Sequence, residues 1–374
     1  MAISFWLNLF QGEWQYEYLI MAKVKKLTKG QLRRIRANHD KKLHGQSKKT
    51  KNNEQIHWQD NELSEPQSGT IISRFGQHAD VESEHGEVFR CNLRRSIESL
   101  VCGDKVQWRQ GKETEHSING IIEAVHERDS MLSRPDVYDG LKPIAANISQ
   151  ILIVSSVLPV FNSDIIDRYL VAAEQTKITP VIVLNKIDLL DEVSEQEQTV
   201  IEKQLQIYRD IGYQVLYASS KSNHGIDVVK EQLAEHTSIF VGQSGVGKST
   251  LVNALMPDLG LLTQEVSENS GLGQHTTTVA RLYHFTDGGD LIDSPGIREF
   301  GLWHLTPEQV YHGFIEFSPF IGMCKFRDCK HQKDPGCALI NAQENNEITA
   351  KRLASFQRIL ASLGDNKLTS RFND

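Results

Sequence analysis

The stretch GQSGVGKST occupies residues 242–250 and matches the phosphate-binding pattern G-x-x-x-x-G-K-[ST]. It follows the apolar pair Phe240 and Val241, which ends a predicted strand, and a helix pattern begins at Lys248. In such a loop, backbone N–H groups point at phosphate oxygens, Lys248 reaches the β- and γ-phosphates, and the Ser249 hydroxyl ligates Mg²⁺. Composition alone would produce the match in about one chain in a hundred of this length, so the stretch predicts a nucleotide site. The residues predicted to hold the nucleotide here are Gly242, Gln243, Ser244, Gly245, Val246, Gly247, Lys248, Ser249 and Thr250.

Strand and helix patterns alternate around this loop, from Asn147 onward. Apolar strands that alternate with amphipathic helices indicate a mainly parallel sheet covered on both faces. The predicted strands are 151–157, 181–185, 215–219 and one that ends at Val241, and the predicted helices are 164–176, 195–211, 225–235 and one from Lys248. We therefore expect an α/β P-loop domain over residues 136–304.

A second motif, NKID, ends the predicted strand at 181–185 and consists of Asn185, Lys186, Ile187 and Asp188. The carboxylate of Asp188 can accept hydrogen bonds from both N1–H and the exocyclic amine of guanine, a pattern that adenine does not offer. The motif therefore favours GTP over ATP. Ala218 and Ser219, which follow the next predicted strand, are candidate base contacts.

A third motif, DSPG, covers residues 293–296 after the apolar pair Leu291 and Ile292. Asp293 would hold Mg²⁺ directly or through water, and Gly296 would present its N–H to the γ-phosphate. Either tetrapeptide alone is more often an ordinary turn. Three motifs at predicted strand ends together predict a GTP site.

The order of the motifs is reversed from that of ordinary GTPases, in which the phosphate loop comes first. Here residues 185–188 precede residues 242–250. A parallel sheet tolerates this order if the original termini are joined and the chain is opened elsewhere. We therefore expect a circularly permuted G domain with an unchanged site.

The residue that orients the attacking water is not obvious, because Ile297 follows DSPG where Ras-like enzymes have Gln. The segment GLGQHTTT at 271–278 offers His275 for the water, and Thr276 or Thr277 for Mg²⁺ and the γ-phosphate. A surface histidine without a catalytic role is an equal alternative for His275. We predict slow intrinsic hydrolysis that a partner accelerates by ordering this segment.

The spacing Cys324-x₄-Cys329-x-His331-x₅-Cys337 places three thiols and one imidazole within fourteen residues. A Cys₃His set suits tetrahedral Zn²⁺ with no open position and so predicts a structural site. Disulfide pairing would leave one of these thiols over and would need an oxidising compartment. His312 is the alternative fourth ligand. With a helical pattern over 348–363, we expect a zinc-binding helical domain over residues 305–374.

The N-terminal third divides into a basic arm and a β-rich segment. Between Lys23 and Lys51 there are twelve Lys or Arg and one acid, whereas the whole chain carries −7. Few apolar residues accompany these charges, so we predict a disordered arm over residues 1–66. Short β-prone runs at 69–74, 86–92, 104–108 and 118–126 predict a small barrel such as an OB-fold over residues 67–135, with a small β-sandwich as the alternative.

The first twenty residues are rich in aromatics but contain Glu13 and Glu17 and lack a basic start. They match neither a signal peptide nor a membrane span, so we expect a cytoplasmic protein without a membrane partner. The change to basic composition at Met21 fits either a translation start there, with residues 1–20 not translated, or an unstructured extension. A monomer is the default expectation.

Together, NKID, GQSGVGKST, GQHTTT, DSPGIREFGLW and the cysteine motif resemble the ribosome small subunit-dependent GTPase A family of bacteria, and the resemblance covers nearly the whole chain from Met21. It implies an OB-fold, a permuted G domain and a zinc domain that act together in late maturation of the small ribosomal subunit. It also implies binding to rRNA, and hydrolysis of GTP to GDP and phosphate stimulated by that subunit. Ile297 and the nearby His275 match the family pattern.

Physical reasoning leaves three functions open. The first is an RNA-binding GTPase. A basic arm gains affinity for RNA by counterion release, an OB-like barrel suits RNA, and GTP hydrolysis can time release from RNA. Such arms are, however, often merely solvated tails. A GTP-binding scaffold with negligible turnover is the second function, which the missing Gln favours. An ATP-dependent RNA remodeller is the third, and Asp188 argues against it.

Overall fold

The computed structural model describes residues 62–115, 118–136, 140–257, 280–293 and 305–369. These residues all belong to the unit Ser47–Asp374, one of the two into which the chain divides. The predicted arm lies almost entirely outside the described residues, as do His275, Thr276, Thr277, Gly296 and Ile297. None of the described helices has the length and apolar content that a bilayer span needs.

Five strands near the N-terminus close into a barrel. They are β1 (Gln67–Phe75), β2 (His78–Ser83), β3 (Val88–Leu93), β4 (Lys105–Glu115) and β5 (Ile118–Val125). The strand order is β1-β2-β3-β5-β4, and antiparallel pairing of β1 with β4 closes the circle. The parallel pair β3–β5 gives this barrel the Greek-key connection of an OB-fold. Its core surrounds Trp108, which is fully buried.

Two parts of this region were not predicted. Strand β2 reads HADVES, in which only Ala79 and Val81 face the core between polar neighbours, too few apolar residues to indicate a strand. The hairpin of β6 (Met131–Asp136) and β7 (Gly140–Ala146) follows the barrel and crosses the boundary that we expected at 135/136.

The central sheet has six strands with helices on both faces. The strands are β8 (Gln150–Ser156), β9 (Thr179–Asn185), β10 (Gln214–Tyr217), β11 (Thr237–Val241), β12 (Arg281–His284) and β13 (Asp290–Asp293). The helices are α1 (Ser163–Thr176), α2 (Glu195–Ile211), α3 (Ile226–Leu233) and α4 (Lys248–Leu255), with a 3₁₀ turn at Ile187–Glu192. The order is β10-β9-β8-β11-β13-β12, and β12 alone among these six is antiparallel to its neighbour.

The sequence patterns explain this sheet well. Every residue of β8 is buried, as expected for a strand covered on both faces, and separate apolar clusters lie on the two sides. Helix α2 has the predicted bounds because Ser194 and Glu197 form a capping box and Gly212 ends the helix in the left-handed conformation. The predicted alternation of strands and helices is confirmed.

The C-terminal part is helical and packs on α1. It contains α5 (Pro307–His312), a 3₁₀ turn (Ile315–Phe320), α6 (Ala338–Glu344) and α7 (Ala350–Thr369). Phe314, Phe317 and Phe356 are fully buried and belong to the same apolar cluster as α1. Arg352 of α7 is buried between Asp167 of α1 and Glu316, an ion-pair network that joins this part to the central sheet.

Candidate nucleotide and metal sites

The loop between β11 and α4 is built on three glycines with positive φ: Gly242 at 141°, Gly245 at 80° and Gly247 at 91°. A Cβ at Gly242 would lie 2.1 Å from the carbonyl oxygen of Val154, and one at Gly247 would lie 2.6 Å from the Asn185 side chain. Side chains at these positions are therefore excluded by both conformation and space. The loop can bring its backbone close to a ligand, and it leads directly into the N-terminus of α4.

Lys248 is the first residue of α4, and its ammonium lies over the loop. Its Nζ donates hydrogen bonds to the carbonyl oxygens of Gly242 and Gln243, each at 2.7 Å. Ser249 and Thr250 follow in the first turn of the helix, where backbone N–H groups and the helix dipole favour an anion. A cation and a helix N-terminus therefore converge on the position expected for phosphates.

The first half of NKID braces the phosphate loop. Asn185 is 1% exposed, and its Nδ2 donates to the carbonyl oxygen of Val246 at 2.9 Å. Lys186, which adopts a left-handed φ of 58°, donates from Nζ to the carbonyl oxygen of Gly245 at 2.6 Å. Sequence reasoning assigned both residues to the nucleotide and missed this contact between two distant motifs.

The second half of NKID faces the loop after β10. Ser219 Oγ donates to Asp188 Oδ1 at 2.5 Å, and the backbone N–H of Ser222 donates to Ser219 Oγ at 3.1 Å. Lys221 Nζ lies 3.9 Å from the other carboxylate oxygen, Oδ2. The backbone N–H of Ile187 donates to the carbonyl oxygen of Ala218 at 3.3 Å. These bonds fix the orientation of the carboxylate, and the contributions of Ser222 and Lys221 were not predicted.

Two polar atoms at this end of the site suit a bound base. Asn185 Oδ1 and Ser220 Oγ are buried and have no hydrogen-bond partner among the described residues. Buried polar atoms are normally hydrogen-bonded, and a purine carries both donors and acceptors. The residues present therefore fit a nucleotide base beside Asp188.

Asp293 is the last residue of β13, which runs parallel to β11. Parallel neighbours end at the same edge of a sheet, so this carboxylate lies on the edge that carries the phosphate loop. Carboxylate and hydroxyl oxygens are ligands that Mg²⁺ prefers, which makes Asp293 and Ser249 a fitting pair. The structure thus brings the described residues of all three motifs to one edge of the sheet.

The cysteine motif forms a compact cluster. One ligand atom from each of Cys324, Cys329, His331 and Cys337 lies within 4.8 Å of all the others. The three Sγ atoms lie 3.6, 3.6 and 3.5 Å from His331 Nδ1. Tetrahedral Zn²⁺ with ordinary bond lengths would set S and N about 3.6 Å apart. The four residues therefore fit zinc, with Nδ1 as the nitrogen ligand.

Local structure holds the cluster in this form. His331 has a positive φ of 56°, and its carbonyl oxygen accepts a hydrogen bond from Gln357 Nε2 of α7 at 2.6 Å. Burial, together with the thiols of Cys337 and Cys324, raises the pKa of the Cys329 thiol to about 12. Thiolates this close together need a cation. His312, the alternative ligand, does not belong to the cluster.

Proteins related in sequence match nearly the whole chain. The sequence model of the RsgA GTPase family matches residues 125–303. The chain is 56% identical over 356 residues to small ribosomal subunit biogenesis GTPase RsgA 1 of Vibrio parahaemolyticus, with 94% of this chain and 98% of the relative covered. It is 56% identical over 352 residues to small ribosomal subunit biogenesis GTPase RsgA of Pectobacterium atrosepticum, with the same coverage.

Solved structures show the same architecture. YjeQ from Thermotoga maritima is 31% identical, covers 80% of this chain and 98% of its own, and superposes with a TM-score of 0.64. YloQ, described as a circularly permuted GTPase, is 28% identical, covers 83% of this chain and 98% of its own, and has a TM-score of 0.63. The predicted fold class, a barrel followed by a permuted P-loop domain and a Cys₃His module, is confirmed.

Proposed function

We propose, since this chain belongs to the RsgA GTPase family and is a GTPase, that it hydrolyses GTP during late maturation of the small ribosomal subunit. The observation that carries the proposal is the 56% identity, over 94% of the chain, to relatives named small ribosomal subunit biogenesis GTPase. The proposed partners are that subunit with its rRNA, and GTP and GDP. We further propose that the protein works as a cytoplasmic monomer without a membrane partner.

In this proposal each motif has one task in the reaction. Asp188, oriented by Ser219, accepts hydrogen bonds from guanine, and the loop 242–250 with Lys248 holds the phosphates. Ser249 and Asp293 would hold Mg²⁺, which when bound neutralises phosphate charge. Gly296, Thr276 and Thr277 are proposed for the γ-phosphate, and His275 for the attacking water.

The brace from NKID to the phosphate loop supports a joint response to nucleotide. Asn185 and Lys186 each contact a carbonyl oxygen of the loop, so base recognition and phosphate binding share one rigid unit. Preorganised donors at fixed positions are the largest contribution that a site of this kind makes to phosphoryl transfer. A base that orders Asp188 would therefore also order the loop.

We propose that the barrel, with the arm, contacts RNA. The barrel exposes Phe75 and carries Arg90 above its ring, 5.4 Å from the centroid. An aromatic ring beside a guanidinium can stack a base and neutralise a phosphate. In the proposed division, the arm is 1–66, the barrel 67–135, the permuted G domain 136–304 and the zinc-binding helical domain 305–374.

Zinc in the C-terminal domain is proposed to be structural. All four ligand positions of a tetrahedral ion are supplied by the chain, so none remains for a substrate. Cys337 precedes α6 and Gln357 of α7 contacts His331, so the cluster links the helices of this domain. Metal binding would therefore contribute to folding of the domain.

The role in maturation can be tested by removing the gene. We expect free small subunits with unprocessed rRNA ends to accumulate, and the wild-type gene to restore normal subunits. Lys248→Ala should not restore them, whereas Lys203→Ala, which changes an exposed lysine on α2, should. Normal subunit profiles in the deletion strain would contradict the proposal.

A further inference from the structure

Strand β12 connects the barrel to β13. Arg281 pairs with Ser73 of β1 on one side and with Asp293 of β13 on the other. All four residues of β12 are in antiparallel register with β13, from Arg281 opposite Asp293 to His284 opposite Asp290. A single row of cross-strand neighbours therefore runs from the barrel to the carboxylate proposed for Mg²⁺.

The row continues further into the barrel. Ser73 is 1% exposed, pairs with Asp80 of β2, and donates from Oγ to Asp80 Oδ2 at 2.9 Å. Asp80 in turn pairs with Arg90 of β3, whose Nε donates to Asp80 Oδ1 at 2.9 Å. Arg90 is the half-exposed cation that the proposed function assigns to RNA. The row spans five adjacent strands, and only Asp80, Ser73 and Arg281 lie between the surface cation Arg90 and Asp293.

A histidine fixes the other end of β12. His284 Nε2 lies 2.9 and 2.8 Å from the two carboxylate oxygens of Glu82 in β2, and Nδ1 lies 2.7 Å from Asp290 Oδ1. Asp290 Oδ2 also accepts a hydrogen bond from Thr237 Oγ1 at the start of β11. We call Glu82, His284 and Asp290 the histidine bridge. Both ring nitrogens face carboxylates, so the imidazolium, which donates from both nitrogens, is the form of His284 that makes both bonds.

Apolar packing joins the same elements between these two ends. Ile72 of β1 and Cys102 of the barrel belong to the apolar cluster of the central sheet rather than to the core of the barrel. Leu282 of β12 and Ile292 of β13 are in this cluster, at 5% and 1% exposure. A four-residue strand held by a backbone pair, a buried side chain and an ion-pair bridge cannot shift independently of the barrel.

We propose that β12 transmits contact of the barrel with RNA to Asp293, and that the histidine bridge is a polar side-chain contact that helps to fix β12 to the barrel. The inference rests on the proposed function, because the roles of RNA and of Asp293 come from there. Glu82 and His284 are positioning residues, since neither lies at the edge that carries the phosphate loop. A packed interface that moves as a unit converts a small displacement at one side into a displacement at the other.

The test compares full-length wild type with Glu82→Gln, His284→Gln and the double variant. The control is Glu84→Gln, which removes the same charge from the exposed turn after β2. GTP turnover is measured alone and with increasing concentrations of purified small subunits. We expect the stimulated kcat of each single variant to be about twofold to thirtyfold lower than that of the wild type. Basal kcat and the half-saturating subunit concentration should stay within about twofold of wild type.

The stimulated kcat of the double variant should be no lower than that of the less active single variant, because both changes break the same bridge. Hydrogen exchange should become faster in β1, β2 and β12 of the bridge variants and not in Glu84→Gln. Equal stimulation of wild type and both single variants would overturn this inference alone. An equal loss of basal and stimulated turnover would also overturn it. No stimulation of the wild type would instead overturn the proposed function.

Discussion

Replacing Asp188 by Asn should change the preferred nucleotide from GTP to xanthosine triphosphate. In the proposed site the carboxylate would accept hydrogen bonds from guanine N1–H and the exocyclic amine, and Ser219 holds it by a 2.5 Å hydrogen bond to Oδ1. The amide oxygen of Asn can still accept from Ser219, but the amide NH₂ then faces the exocyclic amine, donor against donor. Xanthine carries a carbonyl oxygen at that position and would accept the hydrogen bond.

The size of the effect follows from one hydrogen bond that is lost and one that is weakened, because the amide oxygen that still accepts from N1–H is uncharged. A hydrogen bond to a charged group contributes about 1.5–3 kcal/mol and one between neutral groups about 0.5–1.5 kcal/mol, so GTP should bind about 10²- to 10³-fold more weakly. The fold should be little affected, because Lys221, the ion-pair partner of Asp188, is 82% exposed and lies 3.9 Å away. The loss should therefore be confined to guanine nucleotides.

Equilibrium titration with fluorescent GTP and xanthosine triphosphate analogues measures both affinities. Asp191→Asn, an exposed residue in the same 3₁₀ turn, is the matched control and should bind GTP as wild type does. If Asp188→Asn bound GTP within about threefold of wild type, the assignment of Asp188 to guanine would be refuted. Loss of both nucleotides by a folded variant would refute the argument from donor and acceptor pattern.

Three further predictions concern zinc, a buried ion pair and pH. Metal analysis should find zinc bound to the purified chain, lost in His331→Ala and retained in His312→Ala; equal zinc in both would contradict the assigned ligand. Arg352→Ala should lower the free energy of unfolding in urea by about 3–5 kcal/mol, because it leaves Asp167 and Glu316 without their buried cation. Arg358→Ala, at an exposed pair, should cost less than about 1 kcal/mol, and similar costs for both would be inconsistent with the network. Burial lowers the pKa of His284, but Asp290 and Glu82 outweigh it and raise the pKa above its ordinary value. The stabilisation is complete below the ordinary value and disappears as pH rises through the raised one, so the Tm difference between wild type and His284→Gln should be larger near about pH 6 than near about pH 9. A constant difference would be evidence against the charged bridge.

Local sequence patterns predicted the central sheet because its strands are buried on both faces. The continuous apolar runs of β8 and β9 and the caps of α2 specify structure without reference to distant parts of the chain. Strand β2 and the hairpin β6–β7 escaped prediction because their pairing partners, rather than their own few apolar residues, define them.

Some features of the candidate site can also be predicted from local sequence, and others cannot. The phosphate loop, NKID and the cysteine cluster were predicted because each chemistry requires particular residue types at close spacing. The brace from Asn185 to Val246 and the bridge at His284 join residues far apart in sequence. No spacing rule connects such positions, so only the fold identifies these contacts.

Stimulation of GTP hydrolysis by the small ribosomal subunit can be tested by nucleotide turnover of the purified full-length chain. GTP and ATP hydrolysis would be measured alone and with small or large subunits, at two salt concentrations. We predict slow turnover alone and strong stimulation of GTP hydrolysis by small subunits only, weakened by salt because basic residues would contact RNA. Tight GTP binding without stimulation would contradict the prediction and favour a scaffold, and equal use of ATP would contradict the assignment of Asp188.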